Sequence, residues 1–163
     1  MLEQFCQDFK WQETFATKIP SREKLLYNYA DLNLSAVSEN YLQKFAEKGI
    51  YLHQKEAISQ YNESENICLC TGTASGKSLP FYVAGIETLV KDHNSRIIAI
   101  YPIKALGVEQ EERWNQAFTL AGIDINVGRI DGNVNVKLRK QILKECRVII
   151  VTPDVIHAWL LSK

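Results

Sequence analysis

The stretch ICLCTGTASGKSLPFYVAGIETLVK, residues 67–91, decides the fold. A short apolar run (67–70) enters a loop of small residues (71–78), and the periodicity beyond it predicts a helix to about Lys91. A strand that opens through a small-residue turn into a helix aims several backbone N–H groups at one point. The helix start adds its partial positive charge, and the loop becomes an anion cradle. Thr71, Gly72, Thr73, Ala74 and Ser75 form the cradle, and Gly76 lets the backbone come close to phosphate. Lys77 supplies a compact cation for β- and γ-phosphates, and the Ser78 hydroxyl is a candidate ligand for Mg²⁺. The strict GxxxxGK[ST] pattern is not met, because Thr71 stands at the first glycine. A chance Gly-Lys-Ser turn is the ordinary alternative. The strand before, the helix after and the absence of any bulky loop residue argue against it, so a nucleoside triphosphate is the expected ligand.

Outward from this loop, short apolar runs alternate with helical periodicity. Strands are expected at 96–102, 125–131 and 147–153, with helices at 106–122 and 136–145 and another beginning at Asp154. Strands apolar throughout and separated by helices imply a parallel sheet covered on both faces, an α/β fold. Upstream, Val37, Tyr41, Leu42 and Phe45 recur at helical spacing, with Gly49 as the expected C-cap. A second helix is expected from His53 to Tyr61, with Ala57, Ile58 and Tyr61 on one face. Residues 34–163 thus read as the α/β unit and 1–33 as an N-terminal helical or extended segment. In the latter, Phe5 and Phe9 suit a short amphipathic helix that Pro20 and Ser21 end, and 22–32 a second short helix or an extended arm.

The 163 residues are 46% apolar and 23% charged, and nineteen Lys and Arg balance nineteen Asp and Glu. Such a composition excludes bulk disorder, which needs low hydrophobicity and high net charge. The longest apolar run, Ile97–Ile100 with Tyr101 and Pro102, falls far short of the ~20 residues that span a bilayer. The first residues carry acids and amides where a secretory leader has basic and apolar segments, so a cytoplasmic location is expected. Cys6, Cys68, Cys70 and Cys146 form no CxxC pair and no zinc spacing, and Cys68 and Cys70 are expected as buried thiols. Because net charge is zero, any nucleic-acid contact must come from a local face. The basic run Lys137, Arg139, Lys140, Lys144 and Arg147 reads as a solvated helix face.

Several segments, in order, resemble superfamily 2 helicases. TGTASGKS (71–78) resembles motif I, with Ala74 where DEAD-box proteins usually carry glycine. Gln54 in GIYLHQKEAI, 23 residues before Lys77, resembles the Q motif that recognises adenine. YPIKALGVEQ (101–110) resembles motif Ia, RIDGN (129–133) the YDGDT segment, and VTPDVIH (151–157) motif Ib. LSAVSENYLQKFAEKGI (34–50) resembles the helix preceding the Q motif. The likeness runs from about residue 32 to residue 163 and is strongest to the Mrf-type branch with a C-terminal cysteine cluster.

That resemblance implies part of a first RecA-like lobe in an ATP-dependent DNA helicase or translocase, with ATP and Mg²⁺ as cofactors. It implies a catalytic role for Lys77 and adenine recognition by Gln54, whose amide can both donate to and accept from the base edge. It places Pro102, Lys104, Ala105, Gly132, Thr152 and Pro153 along the phosphodiester backbone of one strand, DNA rather than RNA, and no membrane partner. These residues follow the C-terminal ends of expected parallel strands, where open α/β sheets bind ligands. Ile103 replaces the usual Thr and removes a hydroxyl donor. Tyr51 or Phe45 suits base stacking and core packing equally, Asp154 is placed to cap the next helix, and His157 to pack locally.

The resemblance places the acidic DExx motif some tens of residues after VTPDVIH and the second lobe in cis beyond it, so neither is expected among these residues. The family's sheet order puts two further strands between the phosphate-loop strand and the motif Ia strand. The 163 residues are therefore expected to leave a gap in the sheet and, alone, to be inactive as a hydrolase. The alternatives are a non-catalytic ATP-binding fragment and another phosphate-loop enzyme, such as a nucleotide kinase. A kinase would place substrate-binding acids or arginines in the loops that here read YPIKAL and RIDGN.

Overall fold

A computed structural model of the chain describes residues 25–62 and 66–160. The helix expected around Phe5 and Phe9 lies outside the described residues. Six helices and three strands follow in the order α1 (Ala36–Phe45), α2 (Leu52–Asn62), α3 (Ser78–Lys91), β1 (Ile97–Ile100), α4 (Lys104–Ala121), β2 (Val127–Ile130), α5 (Val136–Glu145), β3 (Val148–Val151) and α6 (Pro153–Leu160). The strands form a parallel sheet ordered β1-β3-β2, as expected of an α/β fold.

The central strand explains the layering. All four residues of β3 are buried, and alternate side chains enter different cores. Val148 and Ile150 join α1, α3 and α4 through Leu42, Val83, Ile86 and Phe118. Ile149 and Val151 face Ile130, Cys146 and Val155 on the side of α5 and α6. Burying each such aliphatic side chain contributes about 1.5–3 kcal/mol, so helices on both faces fix the sheet. Register brings Ile100, Val151 and Ile130 side by side, and the loops that follow the three strands leave along one edge.

Helix α3 and β1 are joined by a short turn, residues 92–96, and therefore run in opposite directions. The start of α3, with the loop before it, consequently lies toward the same end of the sheet as the C-terminal ends of the strands. Arg147 fixes the other end of α3, donating from Nη2 to the carbonyls of Leu89 (3.1 Å) and Asp92 (2.7 Å). Arg147 is thus a helix cap and not part of a solvated basic face. Helix α5, with Lys137, Lys140 and Lys144, does lie at the surface and has no buried residue.

The expected strand 67–70 is not one: these residues pair with no neighbour, and Cys68 and Cys70 are exposed rather than buried, their sulfurs 4.0 Å apart. Correspondingly, the outer edge of β1 has no partner strand among the described residues, and Ile98 and Ile100 are 66% and 56% exposed. An apolar groove of about 400 Å³ lies beside that edge, lined by Phe81, Gly85, Ile97, Tyr101 and Trp114 among others. Instead of the expected gap between a phosphate-loop strand and β1 there is an open edge, because 67–70 forms no strand on its far side.

Several boundaries differ from expectation. Residues 25–32 do not form a helix; Tyr27 pairs antiparallel with Ile50, so the extended-arm alternative holds there. Helix α1 ends at Ala46, and Gly49 serves the arm instead: at φ +114°, its absent Cβ would stand 2.7 Å from the Tyr27 carbonyl. Helices α4 and α6 start one or two residues early, at Lys104 and Pro153, proline being pre-organised for a first helical position. Asp154 accordingly lies in the first turn of α6 rather than at its cap, and His157 is exposed.

Candidate functional site

The phosphate loop closes on itself before α3. Thr71 and Ser75 hydroxyls bond at 2.6 Å across the loop. Gly76 sits at φ +75° and Ala74 at φ +58°. The first is ordinary for glycine; the second puts an L-residue in the left-handed region, which favours glycine. Lys77 is folded along the loop and donates from Nζ to the carbonyls of Thr71 (3.0 Å) and Gly72 (2.5 Å). Ser78 opens α3, and its hydroxyl is the side-chain oxygen at that helix start.

Helix α2 supplies the rest of the site. Gln54, 4% exposed, accepts from the Tyr51 N–H and donates to the Gly76 carbonyl, both at 2.8 Å. Each amide atom retains one further hydrogen-bonding position. His53 Nε2 lies 3.0 Å from the Ser75 carbonyl, and its ring stacks on Tyr51 with centroids 5.7 Å apart. Sequence reasoning missed His53, for which adjacency to Gln54 was the sole available signal. Tyr51 thus stacks within the site region, whereas Phe45 stacks on Tyr41 in α1.

A second cluster follows the ends of the strands. After β1, Pro102, Ile103, Lys104 and Ala105 are exposed. After β2, Asp131 is buried and takes an ion pair from Arg129, which also reaches Glu111 of α4 at 3.2 Å. Asp131 Oδ1 accepts the Asn133 N–H at 2.8 Å and so shapes the turn that exposes Gly132. A Cβ on Gly132 would meet Lys104 Nζ at 3.4 Å, so the loops after β1 and β2 converge at the sheet edge. After β3, Pro153 is exposed, but Thr152 is 5% exposed with Oγ1 unpartnered, beneath the surface rather than on it.

Helix caps separate the two clusters from the rest of the surface. Ser35 and Asn135 cap α1 and α5 with side-chain bonds to the N–H of Ser38 and Leu138. Helices α3 and α4 start at Lys77 and Ile103 without a side-chain cap. At α3 the Leu79 N–H already bonds the Gly76 carbonyl at 3.2 Å and Pro80 has no N–H, whereas the first N–H groups of α4, beside Lys104, suit phosphate oxygens.

Comparison with known proteins agrees with this geometry. The profile of the DEAD/DEAH box helicase family matches residues 51–163. The chain is 32% identical to the ATP-dependent helicase HRQ1 of Saccharomyces cerevisiae, over 98% of the chain and 15% of that protein. It is 29% identical to the uncharacterized ATP-dependent helicase YprA of Bacillus subtilis, over 77% of the chain and 17% of that protein. The crystal structure of the DUF1998 helicase MrfA bound to DNA and AMPPNP superposes with a TM-score of 0.82 and 26% identity, covering 98% of this chain and 22% of that one. The chain thus spans about a sixth of the length of these curated relatives. With an incomplete RecA-like sheet and motifs in the family's order, the chain belongs to the DEAD/DEAH box helicases, on the side of the Mrf-type proteins.

Proposed function

We propose that residues 34–163 are the ATP-binding part of the first RecA-like lobe of an ATP-dependent DNA helicase or translocase. The observation that carries this is the joining of Gln54 to the phosphate loop at Gly76. One side chain would thus serve both a base edge and the backbone that would cradle phosphates. Lys77 would exchange its two carbonyl acceptors for β- and γ-phosphate oxygens, which bind an ammonium more strongly because they are charged. Ser78 fits Mg²⁺ as a single hydroxyl ligand. No group of three His, Cys, Asp or Glu among the described residues forms a dedicated metal cage, so phosphates and water would complete that ion's shell.

Nucleic acid would follow the sheet edge, with phosphates against Lys104, the uncapped start of α4, and the Gly132 and Pro153 turns. DNA is preferred to RNA because the similar MrfA structure holds DNA. Hydrolysis needs an acidic group to hold the metal and orient water, which these residues do not include. No described helix is long and apolar enough to cross a membrane.

The test is a titration of ATP and GTP, then steady-state phosphate release with and without single-stranded DNA, against Lys77→Ala as background. Preference for ATP and no DNA-stimulated turnover by the 163-residue polypeptide are expected. Equal affinity for GTP would reopen the other phosphate-loop enzymes. Stimulated turnover removed by Lys77→Ala would show that these residues suffice for catalysis.

A further inference from the structure

We propose that His53 is a positioning residue of the phosphate loop, setting the direction of the backbone N–H groups that receive phosphate. This rests on the loop being the nucleotide site. His53 Nε2 lies 3.0 Å from the Ser75 carbonyl. A carbonyl only accepts, so Nε2 carries the hydrogen. One residue on, Gln54 Nε2 donates to the Gly76 carbonyl at 2.8 Å. The first turn of α2 therefore holds two successive loop carbonyls.

Peptide planarity converts this into an orientation. No peptide among the described residues is cis, so in each plane the N–H points opposite to the C=O. Fixing the Ser75 carbonyl toward α2 turns the Gly76 N–H away from α2, and fixing the Gly76 carbonyl does the same for the Lys77 N–H. Those two N–H groups then face the anion side without reorganising when phosphate arrives. Tyr51 holds the imidazole by stacking with rings 10° from parallel, which fixes the donor's aim. His53 acts on the phosphates through the backbone, whereas Gln54 also has hydrogen-bonding capacity left for a base.

The two roles separate in a calorimetric titration of the full chain with ATP and with adenosine. His53→Ala should weaken ATP about five- to tenfold, the scale of one hydrogen bond, and leave adenosine affinity unchanged. Unchanged adenosine affinity also shows that the variant is folded. His53→Gln, which carries an N–H at similar reach, should recover most of the loss. Equal weakening of ATP and adenosine would make His53 a packing residue and overturn the proposal. So would an unaltered ATP affinity, or a failure of glutamine to rescue. If Lys77→Ala also leaves ATP binding unchanged, the nucleotide site itself is misplaced; if Lys77→Ala loses ATP while His53→Ala does not, only the role of His53 is overturned.

Discussion

The side-chain amide of Gln54 donates to the Gly76 carbonyl at 2.8 Å, and the same nitrogen stands 2.5 Å from where a Cβ on Gly76 would lie. Gly76 is therefore required twice, by its φ of +75° and by this close approach. The contact joins the helix before the phosphate loop to the loop itself, across 22 positions of sequence.

Replacing Gln54 with alanine would strip the Tyr51 N–H of its acceptor and the Gly76 carbonyl of one of its two donors, the Leu79 N–H remaining at 3.2 Å. The expected cost to folding is about 1–3 kcal/mol, the penalty for stranding buried polar groups. Preference for ATP over GTP should vanish in the same variant. Urea unfolding checks the first outcome and paired nucleotide titrations the second; an intact preference would assign base recognition elsewhere.

Lys77→Ala should weaken ATP binding by roughly one to two orders of magnitude with little loss of stability. The two carbonyls that Lys77 holds, those of Thr71 and Gly72, lie in a loop that is mostly exposed, and water can replace the ammonium there. Losing a charge-assisted bond to phosphate is worth about 1.5–3 kcal/mol, roughly ten- to a hundredfold in Kd. Calorimetry, with thermal melting alongside, reads both quantities. Unchanged affinity would end the nucleotide assignment.

What the sequence made legible follows from how local each signal is. The loop 71–78 and helix α3 could be read because glycine, lysine and serine at fixed offsets carry their own geometry. The run 67–70 was apolar enough for a strand, yet a strand needs a neighbour, and pairing is a property of the whole sheet. Cys68 and Cys70 were misplaced for the same reason. Thr152 looked like a surface contact by its place after β3 and is buried because α6 begins one residue later. His53 was invisible because its partner, the Ser75 carbonyl, is backbone and leaves no mark in the sequence.

Glu87 makes a prediction about pH. It is fully buried in α3 and accepts from the Ser35 N–H (2.8 Å) and hydroxyl (2.6 Å), with Lys91 Nζ 3.4 Å away. Burial pushes its pKa up, but the bonds from Ser35, the neighbouring Ser38 hydroxyl and the charge of Lys91 outweigh that and hold it below the ordinary value of 4.5. A depressed carboxylate stabilises the fold above its unfolded pKa, and that contribution fades as pH falls from about 4.5 through the folded value. Stability measured by urea unfolding should therefore drop as pH is lowered from 5 to about 3, and Glu87→Gln should flatten that part of the profile. An identical acid limb in the variant would mean that other carboxylates control it.

Lys104 and Gly132 make the prediction for nucleic acid. Lys104 Nζ lies 3.4 Å from the point a Gly132 Cβ would occupy, so one phosphate could meet both loops. Few cations stand along this edge and net charge is zero, so affinity for single-stranded DNA should be weak and depend shallowly on salt. Lys104→Ala should lower affinity for all sequences alike and reduce the slope of log K against log salt by about 0.7, the share of one phosphate contact on a single strand. Gly132→Ala leaves the charge in place and adds only an ordinary contact to the flexible lysine, so it should change neither affinity nor slope. Fluorescence anisotropy at several salt concentrations distinguishes the two. A slope unchanged by Lys104→Ala would remove this lysine from the nucleic-acid path and, with it, the assignment of the sheet edge as the track.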